Sequence, residues 1–103
     1  MTAPGDPNIV HSWHGSFALI PERLLDYGLS GRAVKTYIGL ALYADRKGES
    51  FPSYAALSTR TGQSVSSIQR GLAELKEARL VEVVYRVRPH GGQVSNLYRL
   101  LRP

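Results

Sequence analysis

Apolar positions along this 103-residue chain change their spacing repeatedly, and each change predicts an element boundary. The opening run MTAPGDPNIVHSWHGS has no apolar period and is rich in Pro, Gly, Asn and His, which predicts a loose arm over residues 1–16 ahead of one domain over residues 17–103. Phe17 to Ile20 reads as a short extended piece, and Pro21 suits the opening of a brief helix through Asp26. Ser30 can cap a longer helix running to Asp45, with Val34, Tyr37, Ile38, Ala41 and Ala44 on one broad face. The polar stretch DRKGES interrupts the pattern. Ser53 is then an N-cap candidate for a short helix that buries Ala56 and Leu57 and ends at Gly62. Ser64 caps the next helix, to about Ala78. At about 100° per residue, Val65, Ile68, Leu72 and Leu75 form one apolar stripe, and Ser66, Ser67 and Arg70 face away from it. Glu74 and Glu77 share that outer face, so only its N-terminal half suits a polyanion. After EARL the period becomes two: Val81, Val83, Tyr85 and Val87 alternate with Glu82, Val84, Arg86 and Arg88. PHGGQ then makes a turn, and VSNLYRLL returns as the second strand of a β-hairpin.

Helix, tight turn at TGQ, capped second helix and basic hairpin follow the order of a winged helix-turn-helix, in which a helix enters the major groove, its predecessor braces it and the hairpin reaches neighbouring phosphates. The likeness extends to particular residues: Pro52 and Ser53 before the first motif helix, Leu57, Thr61 and Gly62 around the turn, Ser64, Val65, Ile68, Arg70, Leu72 and Leu75 along the second helix, and Asn96 and Tyr98 in the last strand. Over residues 17–101 the chain resembles the helix-turn-helix domains found at the front of phage and plasmid replication initiators and in small bacterial regulators. The resemblance implies an α+β fold, a winged helix-turn-helix with a three-helix core and a C-terminal hairpin wing, that binds double-stranded DNA. It places Gln63, Ser64, Ser66, Ser67, Gln69 and Arg70 on the recognition helix, Ser53, Tyr54 and Arg60 on the helix before the turn, and Arg86, Arg88, His90, Gln93 and Arg99 on the wing. Asn96 and Tyr98 are expected to serve the fold. One position departs from the family pattern: Arg79 stands where Gly usually follows the recognition helix, which predicts either a different helix end or a contact made by that arginine.

Charge sharpens the picture. Residues 1–50 are neutral, with Arg23, Arg32, Lys35, Arg46 and Lys47 against Asp6, Glu22, Asp26, Asp45 and Glu49. The whole net charge of +5 lies in residues 51–103, where arginine is the main cation and its planar fork matches phosphates and guanine edges. Without cysteine the chain can form neither a disulfide nor a thiolate metal site, and no apolar run approaches membrane-spanning length. Its start has neither a basic n-region nor an apolar h-region, so a soluble cytoplasmic, nucleoid-associated location is expected. His11 and His14 in HSWH have a spacing open to a metal but no third ligand nearby, and no cofactor is expected. No nucleophile elbow, phosphate-cradling glycine loop or paired-carboxylate motif occurs, which speaks against an enzyme. The function expected is a small bacterial, plasmid or phage regulator acting by occupying its DNA site, in transcription, at a replication origin or in recombination, as a homodimer on symmetric half-sites. The alternative is a protein-interaction adaptor anchored by Tyr27, Tyr43, Tyr54 or Trp13.

Overall fold

A computed structural model of the chain describes residues 17–86 and 95–101. A 3₁₀ turn over Glu22–Tyr27 leads into helix α1 (Gly31–Tyr43), followed by strand β1 (Glu49–Ser50), helix α2 (Tyr54–Thr61), helix α3 (Val65–Glu77) and strands β2 (Val81–Val84) and β3 (Leu97–Leu100). Each α-helix starts on a serine whose hydroxyl accepts a backbone N–H that the helix itself leaves unpaired: Ser30 from Ala33, Ser53 from Ala56 and Ser64 from Ser67. The three helices close around Leu24, Tyr37, Leu40, Leu57, Ile68 and Leu75, and Leu80, Val81 and Tyr98 join this core from the sheet side. No helix among the described residues is long and apolar enough to cross a membrane. Fold and order are those of an α+β winged helix-turn-helix.

The approach of α1 to α3 is set by small residues. A Cβ built on Gly71 would lie 2.8 Å from the Thr36 Oγ1 and 3.0 Å from the Arg32 backbone oxygen, so α3 meets α1 almost backbone to backbone. The buried face of α1 falls on Ala33, Thr36, Tyr37, Gly39 and Leu40, with Gly39 meeting Thr61 and Leu57 of α2. Ile38, expected inside, is 37% exposed. Val65, also expected in the core, is 40% exposed: it lies on the same stripe as Leu72, about 20° from it around the helix, but at the first residue of α3, two turns nearer the helix start. In α2, Leu57 is fully buried and Ala56 only half-buried.

α1 ends at Tyr43 rather than at Asp45. The Asp45 carboxylate is the reason, since it accepts from the backbone N–H of Lys47 at 2.8 Å and of Glu49 at 2.9 Å and so holds a turn in place of another helical residue. That turn passes through Gly48 at φ 77° and delivers Glu49 and Ser50 to the sheet as β1, a strand where the polar run DRKGES had predicted only a break. The sheet is antiparallel in the order β1-β3-β2, pairing Glu49 with Arg99, Ser50 with Tyr98, Val81 with Leu100 and Val83 with Tyr98. β2 stops at Val84, and the expected inward alternation fades along it: Val81 is buried, Val83 half-buried and Tyr85 64% exposed. The hairpin tip, with Val87, Arg88, His90 and Gln93, lies outside the described residues, as do the arm with Trp13 and the HSWH histidines.

Arg79 takes the left-handed conformation that glycine usually supplies, at φ 59°. Its N–H donates to the Lys76 carbonyl at 3.0 Å, and the Leu80 N–H donates to the Leu75 carbonyl at 2.9 Å, which is the double bond of a Schellman cap. The helix therefore ends in the family manner, with arginine bearing the conformational strain. Arg79→Gly should raise the unfolding free energy by up to about 1 kcal/mol, the left-handed penalty of about 1–2 kcal/mol being partly offset by the greater freedom of glycine in the unfolded chain. Urea unfolding of the variant checks this; an unchanged or lower midpoint would mean that the Arg79 side chain contributes a stabilising contact.

Candidate nucleic-acid interface

The turn between α2 and α3 is locked from several sides. Gly62 adopts φ 69° and closes α2 through its N–H to the Ser58 carbonyl. The Ser58 hydroxyl donates to the Gln63 carbonyl at 2.5 Å. Gln63, expected to face DNA, points inward instead: its amide nitrogen donates to Thr36 Oγ1 and Thr61 Oγ1, each at 3.2 Å, so one amide hydrogen braces the turn against α1 and the other ties it to the end of α2. Ser53 and Ser64 use their hydroxyls as helix caps. Tyr54 is half-buried and its hydroxyl accepts from the Asn96 amide at 3.3 Å, linking α2 to the root of β3 as the fold role of Asn96 implied. Arg60 remains exposed in the last turn of α2.

With the turn fixed, α3 presents Ser66, Gln69, Arg70, Ala73 and Glu77 to solvent, while Ser67 is half-buried. Arg70 makes no ion pair among the described residues. Glu74 does not belong to the outer face as expected. It turns toward α1, where its carboxylate accepts from the Ser30 hydroxyl at 2.5 Å and from the Ser30 N–H at 2.8 Å. Glu77 is the acid that stays exposed at the far end of the helix, about 100° around it from Lys76.

The Ser30 hydroxyl, and after it the Ser30 N–H, hold the Glu74 carboxyl below its ordinary value of 4.5. The Glu49 N–H does the same for Asp45, in the turn that ends α1. Because the folded value is the lower one, each group stabilises the fold fully above its ordinary value, and this contribution disappears as pH falls through the folded value. Urea midpoints should therefore drop as pH is lowered below 4.5, and Glu74→Gln should flatten part of that drop while lowering the midpoint at pH 7. If the variant and the parent lose stability in parallel on acidification, the Ser30–Glu74 link has no part in it.

At the root of the wing, Arg86 donates from Nε to the Ser95 carbonyl at 2.8 Å and lies over the Phe51 ring, 4.5 Å from its centroid. Tyr85 reaches the other way, to Lys76 on α3. Arg99, expected on the wing, lies in the middle strand. Its guanidinium donates to Glu49 at 2.8 and 3.0 Å and to Glu82 at 2.7 Å, the residues directly opposite it on β1 and β2. That cross-strand triad takes one hydrogen bond from each of its three nitrogens and holds the guanidinium against the sheet. The structure thus brings Ser66, Gln69, Arg70 and Arg86 to the surface and commits Ser53, Gln63, Ser64 and Arg99 to the fold. Sequence reasoning passed over Tyr85, which strict alternation had placed on the inward side of the hairpin. The signal that could have found it is the end of the apolar pattern at Val84, beyond which the strand has no core left to face.

A family model described as a helix-turn-helix domain matches residues 27–81, from the end of the 3₁₀ turn to the start of β2. Among solved structures, one described as a possible transcriptional regulator from Methanosarcina mazei Go1 superposes with a TM-score of 0.57 at 18% sequence identity, over 85% of this chain and 77% of that one. A search of the curated proteins found no match.

Proposed function

This chain belongs to the helix-turn-helix domain family, and on that premise we propose that it is a sequence-specific double-stranded DNA-binding regulator that acts by occupying its site rather than by catalysis. The observation that carries this reading is the outer face of α3. Arg70, Gln69 and Ser66 stand exposed on a helix whose opposite side is clamped to α1 and whose entry turn is braced by Gln63, so the presented side chains have a rigid support. A helix of this width fits the major groove, where arginine pairs with guanine and glutamine with adenine. Arg60 in the last turn of α2 and Arg86 at the root of the wing are exposed and would supply charge for the backbone. The excess of cations in residues 51–103 favours the same partner.

Transcriptional control, by occlusion of a promoter, is the role we favour over marking a replication origin; the description of the Methanosarcina mazei protein as a possible transcriptional regulator supports that preference. The protein would act in the cytoplasm, on the nucleoid, as a homodimer. The exposed Phe17, Leu19 and Leu25 ahead of α1 offer apolar surface for pairing two copies away from α3. Selection of bound sequences from random duplex DNA tests the reading. It should return one short motif, repeated as two half-sites if the dimer forms; recovery of no enriched motif would set sequence-specific binding aside in favour of an adaptor that uses exposed aromatics such as Tyr27 and Tyr43.

A further inference from the structure

Between α3 and β2 runs a cleft of about 230 Å³, walled by Gln69, Leu72, Lys76, Val83 and Tyr85, whose outer rim adjoins the exposed face of α3. At that rim the Lys76 ammonium donates to the Tyr85 hydroxyl at 3.1 Å and sits 5.2 Å from the centroid of its ring. The direction of this bond matters. A lysine ammonium has three hydrogens and no lone pair, so the tyrosine oxygen must be the acceptor, and its own hydrogen is left to be donated elsewhere. Among the described residues neither that hydroxyl hydrogen nor the remaining ammonium hydrogens meet an acceptor. Two adjacent donors, one of them charged, are thus held side by side at the mouth of a cleft next to the helix face proposed to enter the groove. The group they fit is an anion that accepts hydrogen bonds without donating, and beside a helix face proposed to enter the groove that anion is a backbone phosphodiester, whose two non-bridging oxygens can take one donor each.

We propose that Lys76 and Tyr85 clamp one backbone phosphate of the bound duplex between α3 and the wing, adding affinity without sequence preference; the proposal rests on the DNA-binding reading above. Lys76 supplies charge and Tyr85 a neutral, oriented hydrogen bond, and this division makes the pair separable by experiment. Arg86 is turned to the opposite side of the strand, onto Phe51, and does not share this phosphate.

The test measures Kd for a selected duplex and for an unrelated one across a salt series, using the full chain and the variants Tyr85→Phe and Lys76→Gln. Tyr85 is 64% exposed and phenylalanine keeps its ring, so melting temperature serves as the control for folding. Tyr85→Phe should weaken both duplexes by the same factor, on the order of tenfold, and leave the slope of log K against log salt unchanged, because no charge is lost. Lys76→Gln should weaken both and reduce the slope by about 0.9, the value for one phosphate released. A parent protein that binds with a steep slope while both variants keep its affinity overturns the clamp and leaves the DNA-binding reading standing. Weakening of one duplex and not the other overturns it as well, since the pair would then touch a base. A parent that binds neither duplex overturns the reading beneath it.

Discussion

Gly71→Ala should destabilise the protein by about 1–2 kcal/mol, although alanine is the better helix former. In an exposed helix interior the exchange would stabilise by about 1 kcal/mol. Here the new methyl group would lie 3.0 Å from the Arg32 carbonyl oxygen and 2.8 Å from Thr36 Oγ1, and Thr36 is itself tied to that carbonyl by a 2.7 Å hydrogen bond. Backbone cannot swing aside as a side chain can, so α1 and α3 must separate, and overpacking of this kind costs typically about 1–3 kcal/mol. The steric cost, at the upper end of that range, exceeds the propensity gain. A loss of about 5–15 °C in melting temperature is expected for a domain of this size. Gly39→Ala is the internal comparison, because its methyl group would press on side-chain atoms of Thr61 and Leu57 at 2.9 and 3.2 Å and should cost less. Equal or raised stability in the Gly71 variant would show that the helix crossing has slack.

Arg70→Ala should have the larger effect on binding and almost none on folding. The residue is exposed, lies opposite Ile68 and Leu72 on α3 and has no ion pair among the described residues, so its removal should shift stability by no more than about 0.5 kcal/mol. Its fork is aimed outward from a helix that cannot rotate, held as it is by Gly71 against α1 and by the Glu74–Ser30 bonds. Loss of a bidentate pair with guanine O6 and N7 costs about 1–3 kcal/mol of discrimination, roughly a 5- to 150-fold loss of preference at one base pair, while non-specific binding persists. Arg70→Lys should restore charge and only part of the preference. A scan over single-base variants of the selected site decides the point. Intact folding with unchanged selectivity would remove Arg70 from the reading set and leave Gln69 as the exposed amide able to take its place.

What was legible in the sequence follows from which signals are local. Caps are local: Ser30, Ser53 and Ser64 announced three helices because a hydroxyl next to a helical pattern has one favourable use, and the structure places all three there. The stripe of Ile68, Leu72 and Leu75 was legible for the same reason, since the helical period carries it. Contacts made across the fold were not legible. Nothing near Glu74 in the chain points to Ser30, and nothing near Arg99 points to Glu49, so a carboxylate was assigned to the outer face and an arginine to the wing when each had a partner more than forty positions away. Gln63 was misplaced likewise, because its partner Thr36 lies on another helix. The core of α1 was read from Val34, Tyr37, Ile38, Ala41 and Ala44, whereas small residues set its close approaches: Thr36 meets Gly71 of α3, and Gly39 meets Thr61 and Leu57 of α2. The two-residue strand β1 was hidden because its sequence is polar and its pairing is with the far end of the chain.

The central claim is that this helix-turn-helix chain grips duplex DNA through its α3 and wing side, and the affinity for a selected duplex as a function of salt tests it most directly. Each phosphate paired with a lysine or arginine contributes about −0.9 to the slope of log K against log salt. With Arg60, Lys76 and Arg86 exposed and in no ion pair among the described residues, a slope of roughly −3 or steeper is expected, together with tighter binding to the selected sequence than to an unrelated duplex at every salt concentration. A slope near zero, or equal affinity for the two duplexes throughout the series, would contradict it.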